Sequence, residues 1–228
     1  MKNLIKFVII LFAGLLFLIL MIFTALFEGV GNFSSNPSPS VLPPIRFIPT
    51  YVRASKKYQI PWWFLATINK IETNYNEGDM VSSAGALGPM QFMYTTYEKY
   101  GQNVTHNPNE PKIGTPYDFV DAVFASAKFL HDMGMPKNPN LIEIAKFAGA
   151  YNAGLGNWDN ISQQTVNYRE MAVQYSQEIK ISVKIPMEDI DYWDSLPLKT
   201  INLIAEGKKT VYGIGLSNIS INSPKLKM

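Results

Sequence analysis

Glu72 is the residue whose setting points most directly to chemistry. With about 100° between successive residues on a helical wheel, the run from Pro61 to Tyr75 gathers Phe64, Leu65, Ile68 and Ile71 on an apolar arc, and Thr67, Asn69, Lys70 and Thr73 on a polar one. Glu72 falls on the apolar side, between Leu65 and Ile68 and near the helix C-terminus. Desolvation and the negative end of the helix dipole both disfavour a carboxylate there, so both push its pKa upward. A carboxyl group still protonated near neutral pH can serve as a general acid. On the wheel alone, the simpler explanation is a boundary glutamate that reaches water or pairs with a buried Arg or Lys. The residues that follow reverse that preference.

The helix reads Ile60-Pro61-Trp62-Trp63-Phe64-Leu65-Ala66-Thr67-Ile68-Asn69-Lys70-Ile71-Glu72-Thr73-Asn74-Tyr75. It is followed by Ser82-Ser83-Ala84-Gly85-Ala86-Leu87-Gly88-Pro89-Met90-Gln91 and, further on, by Ala150-Tyr151-Asn152-Ala153-Gly154. In order and approximate spacing these segments resemble the glutamate helix, the S-x-A-G-A-x-G-x-M-Q block and the A-Y-N-A-G signature of the soluble-lytic-transglycosylase family. Gly88-Pro89-Met90-Gln91-Phe92 is its GPMQF-type motif. The resemblance covers roughly Ile45 to Lys180. It implies a lysozyme-like, mainly α fold of the goose-type lysozyme and lytic transglycosylase kind. It also implies Glu72 as catalytic acid and base, Ser82 and Gln91 as polar groups of the glycan cleft, and Tyr151 and Asn152 lining the subsite opposite the acid. Thr73 replaces the usual Ser after the glutamate, and Tyr94 stands where many members have Pro.

These residues also have plainer uses. Gly85 and Gly88 permit a tight turn that brings backbone amides toward a sugar, but turn and packing duty alone accounts for them, as it does for Ala153. Gln91 and Asn152 are open to a reading as local caps, Asn152 lying just before Gly154. Tyr151 offers an apolar ring and a hydroxyl suited to an N-acetylated saccharide.

Most glycosidases flank the bond with two carboxylates. After Glu72, Glu77 and Asp79, the stretch Met80 to Tyr97 holds no acid. Goose-type lysozymes resemble this family but place an aspartate in about this region, whereas lytic transglycosylases let the muramoyl C6 hydroxyl attack its own anomeric carbon. The missing acid favours a 1,6-anhydro product over hydrolysis by a muramidase. No cofactor or metal is expected: His106 and His131 lack ligand spacing and Cys is absent. Neither a G-x-S-x-G nor a phosphate loop is present. Of the four Trp, Trp158 alone has a claim to be a sugar platform rather than core.

The elements that must position these groups lie outside a membrane on this reading. Phe7 to Phe27 carries no charge and at about 1.5 Å per residue spans the roughly 30 Å bilayer core. It is longer than a signal-peptide core and lacks a small-x-small cleavage site. Residues 1–6, with Lys2 and Lys6, are expected in the cytoplasm and the rest on the outer face, extracellular or periplasmic. Residues 28–44, with Pro37, Pro39, Pro43 and Pro44, read as a linker. Residues 45–180 form the helical domain. Its helices run from Pro61 to about Tyr75, from the Thr115-Pro116-Tyr117-Asp118 cap to near Gly134, from the Asn140/Glu143 capping box to before Gly154, and over Val166 to Ile179.

Residues 181–228 are expected to be a small C-terminal extension with short strands, since Ile181, Val183 and Ile185 alternate with polar residues, as do Ile219 and Ile221. A helical piece lies near 199–205. The formal charge of +2 arises wholly from Lys2 and Lys6. With no net positive charge beyond them, no nucleic-acid partner is expected. The expected partners are peptidoglycan glycan strands, the membrane through the N-terminal helix, and an envelope-machine protein through the extension. A non-catalytic wall-binding scaffold is the remaining alternative; retention of Glu72, Gln91, Tyr151 and Asn152 argues against it.

Overall fold

A proline starts the central helix and a left-handed asparagine stops it. Pro61, in extended backbone, is the N-cap of the helix over Trp62–Thr73, and Asn74 (φ 55°) is its C-cap, its amide donating to the Lys70 carbonyl at 3.0 Å. The structure, a computed structural model, describes residues 41–185 and 187–208. In chain order the helices are α1 (Ile48–Tyr58), α2 (Trp62–Thr73), α3 (Tyr94–Tyr100), α4 (Phe119–Asp132), α5 (Leu141–Ala153), α6 (Gln163–Ser182), α7 (Met187–Ser195) and α8 (Leu198–Ala205). No strand occurs among the described residues, where isolated bridges join Val81 to Leu87 and Leu87 to Phe92. The domain is mainly helical. No helix of the described residues is long and apolar enough to cross a membrane. The expected span over 7–27 lies outside them, as do residues 28–40 of the expected linker.

α2 packs against α1, α4 and α6, and every residue from Trp63 to Asn69 is buried. Thr67 and Asn69 of its polar arc therefore do not face water. Thr67 Oγ1 donates to the Trp63 carbonyl (2.9 Å) and lies 3.1 Å from Ser176 Oγ on α6. Asn69 Oδ1 accepts from the Tyr51 hydroxyl of α1 at 2.6 Å. A helix surrounded on all sides keeps polar residues only where partners meet them. The Asn140/Glu143 capping box opens α5 as expected. At α4 the expected cap shifts: Asp118, expected inside the helix, is the N-cap and accepts from the Asp121 amide at 2.9 Å, while Thr115 to Tyr117 form the turn before it.

No strand forms after residue 180 within the described part. Ile181 lies in the last turn of α6, Val183 follows in extended backbone with an isolated bridge, and residues 187–195 and 198–205 form α7 and α8, the latter covering the expected helical piece. Alternation over so few residues does not distinguish a strand from a helix end entering an apolar contact. Ile219 and Ile221 lie outside the described residues. α7 packs on α1, and α8 on α1 and α4. Trp193 is completely buried, and Val183, Trp193 and Ala205 belong to the same core as α2. At the other end Val41 is buried too, and its carbonyl accepts from the Tyr75 hydroxyl at 2.7 Å. The end of the expected linker is thus packed on the domain.

Arg53 on α1 secures the C-terminal helices. Its guanidinium donates to the carbonyls of Trp193 (2.7 Å) and Leu196 (2.6 Å) and lies 3.4 Å from Asp194. Arg53→Ala should lower unfolding free energy by about 1–3 kcal/mol, since two carbonyls lose a charged donor. Lys56→Ala, which breaks a more exposed pair with Asp194, should leave stability nearly unchanged. Urea unfolding of both variants checks the contrast.

Candidate active site

The segment between α2 and α3 folds back on itself at Gly88-Pro89-Met90-Gln91. Leu87 and Phe92 exchange backbone hydrogen bonds (2.8 and 3.0 Å), and the Gln91 amide donates to the Gly88 carbonyl at 3.1 Å. Pro89 suits the second position of such a turn. The next two carbonyls are fixed from opposite sides. That of Pro89 accepts from Asn69 Nδ2 (2.8 Å) and Thr73 Oγ1 (2.9 Å) of α2, and that of Met90 accepts from the Tyr151 hydroxyl of α5 at 2.8 Å. Gly88 takes φ 69°, and a Cβ there would lie 1.8 Å from the Pro116 carbonyl oxygen.

The Pro116 side of that contact is itself anchored. Asp121 on α4 is fully buried and accepts from the amides of Val104 (2.8 Å) and Thr115 (3.2 Å), tying down the chain that precedes α4. Burial pushes its carboxyl up to about 7 against the pull of those amides.

Two clefts meet at Glu72, Ser82 and Gln91. One, of about 580 Å³, also holds Tyr151 and Asn152, so all five residues singled out in the sequence line it. The other, of about 490 Å³, runs over the end of α2. Among the described residues lining either cleft, Glu72 is the one carboxylate and Lys70 the one cation. Glu72 Oε1 accepts from the Tyr168 hydroxyl of α6 at 2.6 Å. Burial raises the carboxyl to about 7, and the Tyr168 hydrogen bond, which favours the charged form, opposes it. The helix therefore offers the cleft a carboxyl poised between acid and base near neutral pH.

Several sequence expectations change in detail. The Gly85 amide donates to the Ser82 carbonyl (2.9 Å) and the Gly88 amide to the Met80 carbonyl (2.8 Å), so neither is a free donor for a sugar. Ser82 Oγ accepts from the Ala86 amide at 3.0 Å and holds the turn from within the cleft wall. Gln91, at φ 51°, returns Nε2 to the Gly88 carbonyl at 2.8 Å. The Tyr151 hydroxyl is committed to Met90 and lies 3.0 Å from Ser126 Oγ, which leaves its ring as the surface that lines the cleft, packed with Phe92 and Phe129. Asn152 Oδ1 accepts from Thr165 Oγ1 at 3.2 Å, which orients its amide nitrogen as the remaining donor. Trp158 lines neither cleft; its carbonyl accepts from Arg169. No group of three or more His, Cys, Asp and Glu with metal-binding geometry occurs among the described residues.

Sequence reasoning missed Tyr168 and the structural use of Asn69. The signal for Tyr168 was available: Thr165, Tyr168, Ala172, Ser176 and Ile179 repeat at helical spacing and are all buried on α6. A tyrosine on a buried stripe needs a partner for its hydroxyl. Which partner is a matter of tertiary placement.

The family model of the transglycosylase SLT domain matches residues 50–172, more than half of the chain. No curated protein shows a significant match, and no solved structure does.

Gly88→Ala should cost well over 2 kcal/mol, because left-handed backbone and a backbone clash act together. Gly85→Ala, with φ 83° and nothing near its absent Cβ, should cost about 1 kcal/mol; urea unfolding separates the two. The carboxyls of Glu72 and Asp121, ordinarily at 4.5 and 3.8, both rise to about 7 on folding. The native state therefore holds protons that the unfolded chain releases. Their stabilising contribution is full below the unfolded values and is lost as pH rises through about 7. Glu72→Gln should accordingly lose less stability than the natural chain between about pH 4 and pH 8, as measured by denaturation at each pH.

Proposed function

Because the chain belongs to the transglycosylase SLT domain family, whose members are lytic transglycosylases acting on peptidoglycan, we propose that it cleaves the MurNAc-GlcNAc β-1,4 bond and leaves a 1,6-anhydro-MurNAc end. One observation carries this reading beyond the family: Glu72, raised to about 7, is the single carboxylate among the described residues lining the two clefts. One carboxyl must then give and take the proton.

In the proposed reaction the protonated Glu72 donates to the glycosidic oxygen as the bond to the muramoyl anomeric carbon breaks, and the GlcNAc C4 hydroxyl departs. The anomeric centre passes through an oxocarbenium-like state assisted by the 2-acetamido oxygen. Glu72, now a carboxylate, removes the C6 hydroxyl proton while O6 bonds to the anomeric carbon, which closes the anhydro ring. The proton given to the leaving GlcNAc is replaced on Glu72 by the one from the C6 hydroxyl, so the acid is restored and no water is consumed. The Tyr168 hydrogen bond helps hold the charged form between the two transfers. The Tyr151 ring and the Asn152 amide are proposed to receive the saccharide opposite the acid, with Ser82 and Gln91 shaping the wall between the clefts. An uncleaved anchor over 7–27 would hold the domain on the outer face of the membrane, within reach of the wall.

Glu72→Gln should reduce turnover of purified sacculi to background while the variant still folds cooperatively. Mass analysis of products from the natural chain should show anhydro-muramoyl ends; reducing ends alone would turn the reading to a hydrolytic muramidase. Activity should fall as pH rises through about 7, because the first step needs the protonated carboxyl. Tyr168→Phe removes the bond that lowers this pKa, so the alkaline limb should move to higher pH while the maximal rate drops. A limb that stays in place or moves to lower pH would remove Tyr168 from the control of Glu72.

A further inference from the structure

The cleft over the end of α2 differs from its neighbour in carrying a cation. Lys70 lines it and is not part of the cleft that holds Tyr151 and Asn152. The ammonium is held in place by the way α2 ends. Lys70 Nζ donates to Asn74 Oδ1, and it lies 5.7 Å from the centroid of the Tyr75 ring. Asn74 and Tyr75 both take left-handed backbone, at φ 55° and 62°. The Tyr75 hydroxyl is anchored to the Val41 carbonyl, so the ring beside the lysine is fixed from the far side of the chain.

An ammonium has three donors, of which Asn74 takes one. Burial of the side chain lowers the Lys70 pKa and the Glu178 carboxylate raises it. The side chain is half-buried, and its order before binding reduces the entropy lost when a ligand is gripped.

The sugar rings of the proposed substrate are neutral. What distinguishes the muramoyl residue is its 3-O-lactyl arm, which ends either in a free carboxylate or in an amide leading to a peptide that bears carboxylates. A cation lining a groove that meets the acid at Glu72, Ser82 and Gln91 suits that carboxylate better than the neutral hydroxyl and acetamido groups of the strand. Resting on the transglycosylase reading above, we propose that Lys70 forms a carboxylate subsite for the lactyl arm of the muramoyl residue, in the cleft at the C-terminal end of α2. The subsite selects muramoyl over glucosaminyl units by charge, and sets on which side of Glu72 the arm projects.

The test uses the full-length chain in detergent, with Lys70→Gln and Lys70→Arg variants, on peptide-free glycan strands, the same strands with lactyl carboxylates converted to methylamides, and strands bearing peptide stems. Cleavage of any of these by the natural chain, and its loss in Glu72→Gln, is established first; failure at that point contradicts the transglycosylase reading and this proposal falls with it. Lys70→Gln should then raise KM on carboxylate-bearing strands about three- to tenfold with kcat little changed, as for a partly exposed ion pair. Lys70→Arg should restore most of the loss. The methylamide strands should show the raised KM with the natural chain and no further rise with Lys70→Gln. A rise on peptide-free strands assigns the ligand to the lactyl carboxylate itself; a rise confined to stem-bearing strands assigns it to the peptide. Equal KM for the natural chain and Lys70→Gln on every anionic strand overturns the proposal.

Discussion

The site depends on fixing one short turn from both sides. Two successive carbonyls, those of Pro89 and Met90, are held by side chains from different helices: Asn69 and Thr73 of α2, and Tyr151 of α5. Buried carbonyls without donors cost about 1–3 kcal/mol each, so a shift of either helix relative to the turn is opposed at both points. The backbone contact of Gly88 with Pro116, itself supported by Asp121, removes the remaining freedom. The turn, the acid-bearing helix and the wall opposite it therefore move as one unit.

That rigidity matters because the proposed chemistry rests on a balance at Glu72. Burial drives the carboxyl toward the neutral acid, while the Tyr168 hydroxyl supports the carboxylate. Each influence alone would favour one half of an acid-then-base cycle. Together they leave the group near the pH at which it can serve in both. The surrounding structure carries the expense in stability, since a carboxyl raised on folding weakens the native state once it ionises.

Much of this was legible from residue spacing. The apolar placement of Glu72 on a helical wheel, the start of α2 at Pro61, the capping box of α5, and the gathering of Glu72, Ser82, Gln91, Tyr151 and Asn152 follow from local pattern and motif order, and all five residues line one cleft. What was not legible was pairing across distance. Asn69 falls on the polar arc of the wheel, which records polarity and cannot show that a distant carbonyl meets it. The amides of Gly85 and Gly88 looked free because their acceptors, Ser82 and Met80, become visible only once the turn is closed. The alternation after Lys180 was too short to fix an element, and the helices that follow pack on α1 and α4 through contacts such as those of Arg53 and the buried Trp193, which a local pattern does not record.

The proposed chemistry turns on Glu72 being held by this fold as a carboxyl that titrates near neutral pH. Glutamate labelled with carbon-13 at the carboxyl, followed by NMR across the pH range and assigned by the signal missing in Glu72→Gln, measures this directly. One carboxyl should titrate at about 7 and vanish in the variant; a Glu72 signal titrating at the ordinary glutamate value of 4.5 would mean that the fold does not raise it.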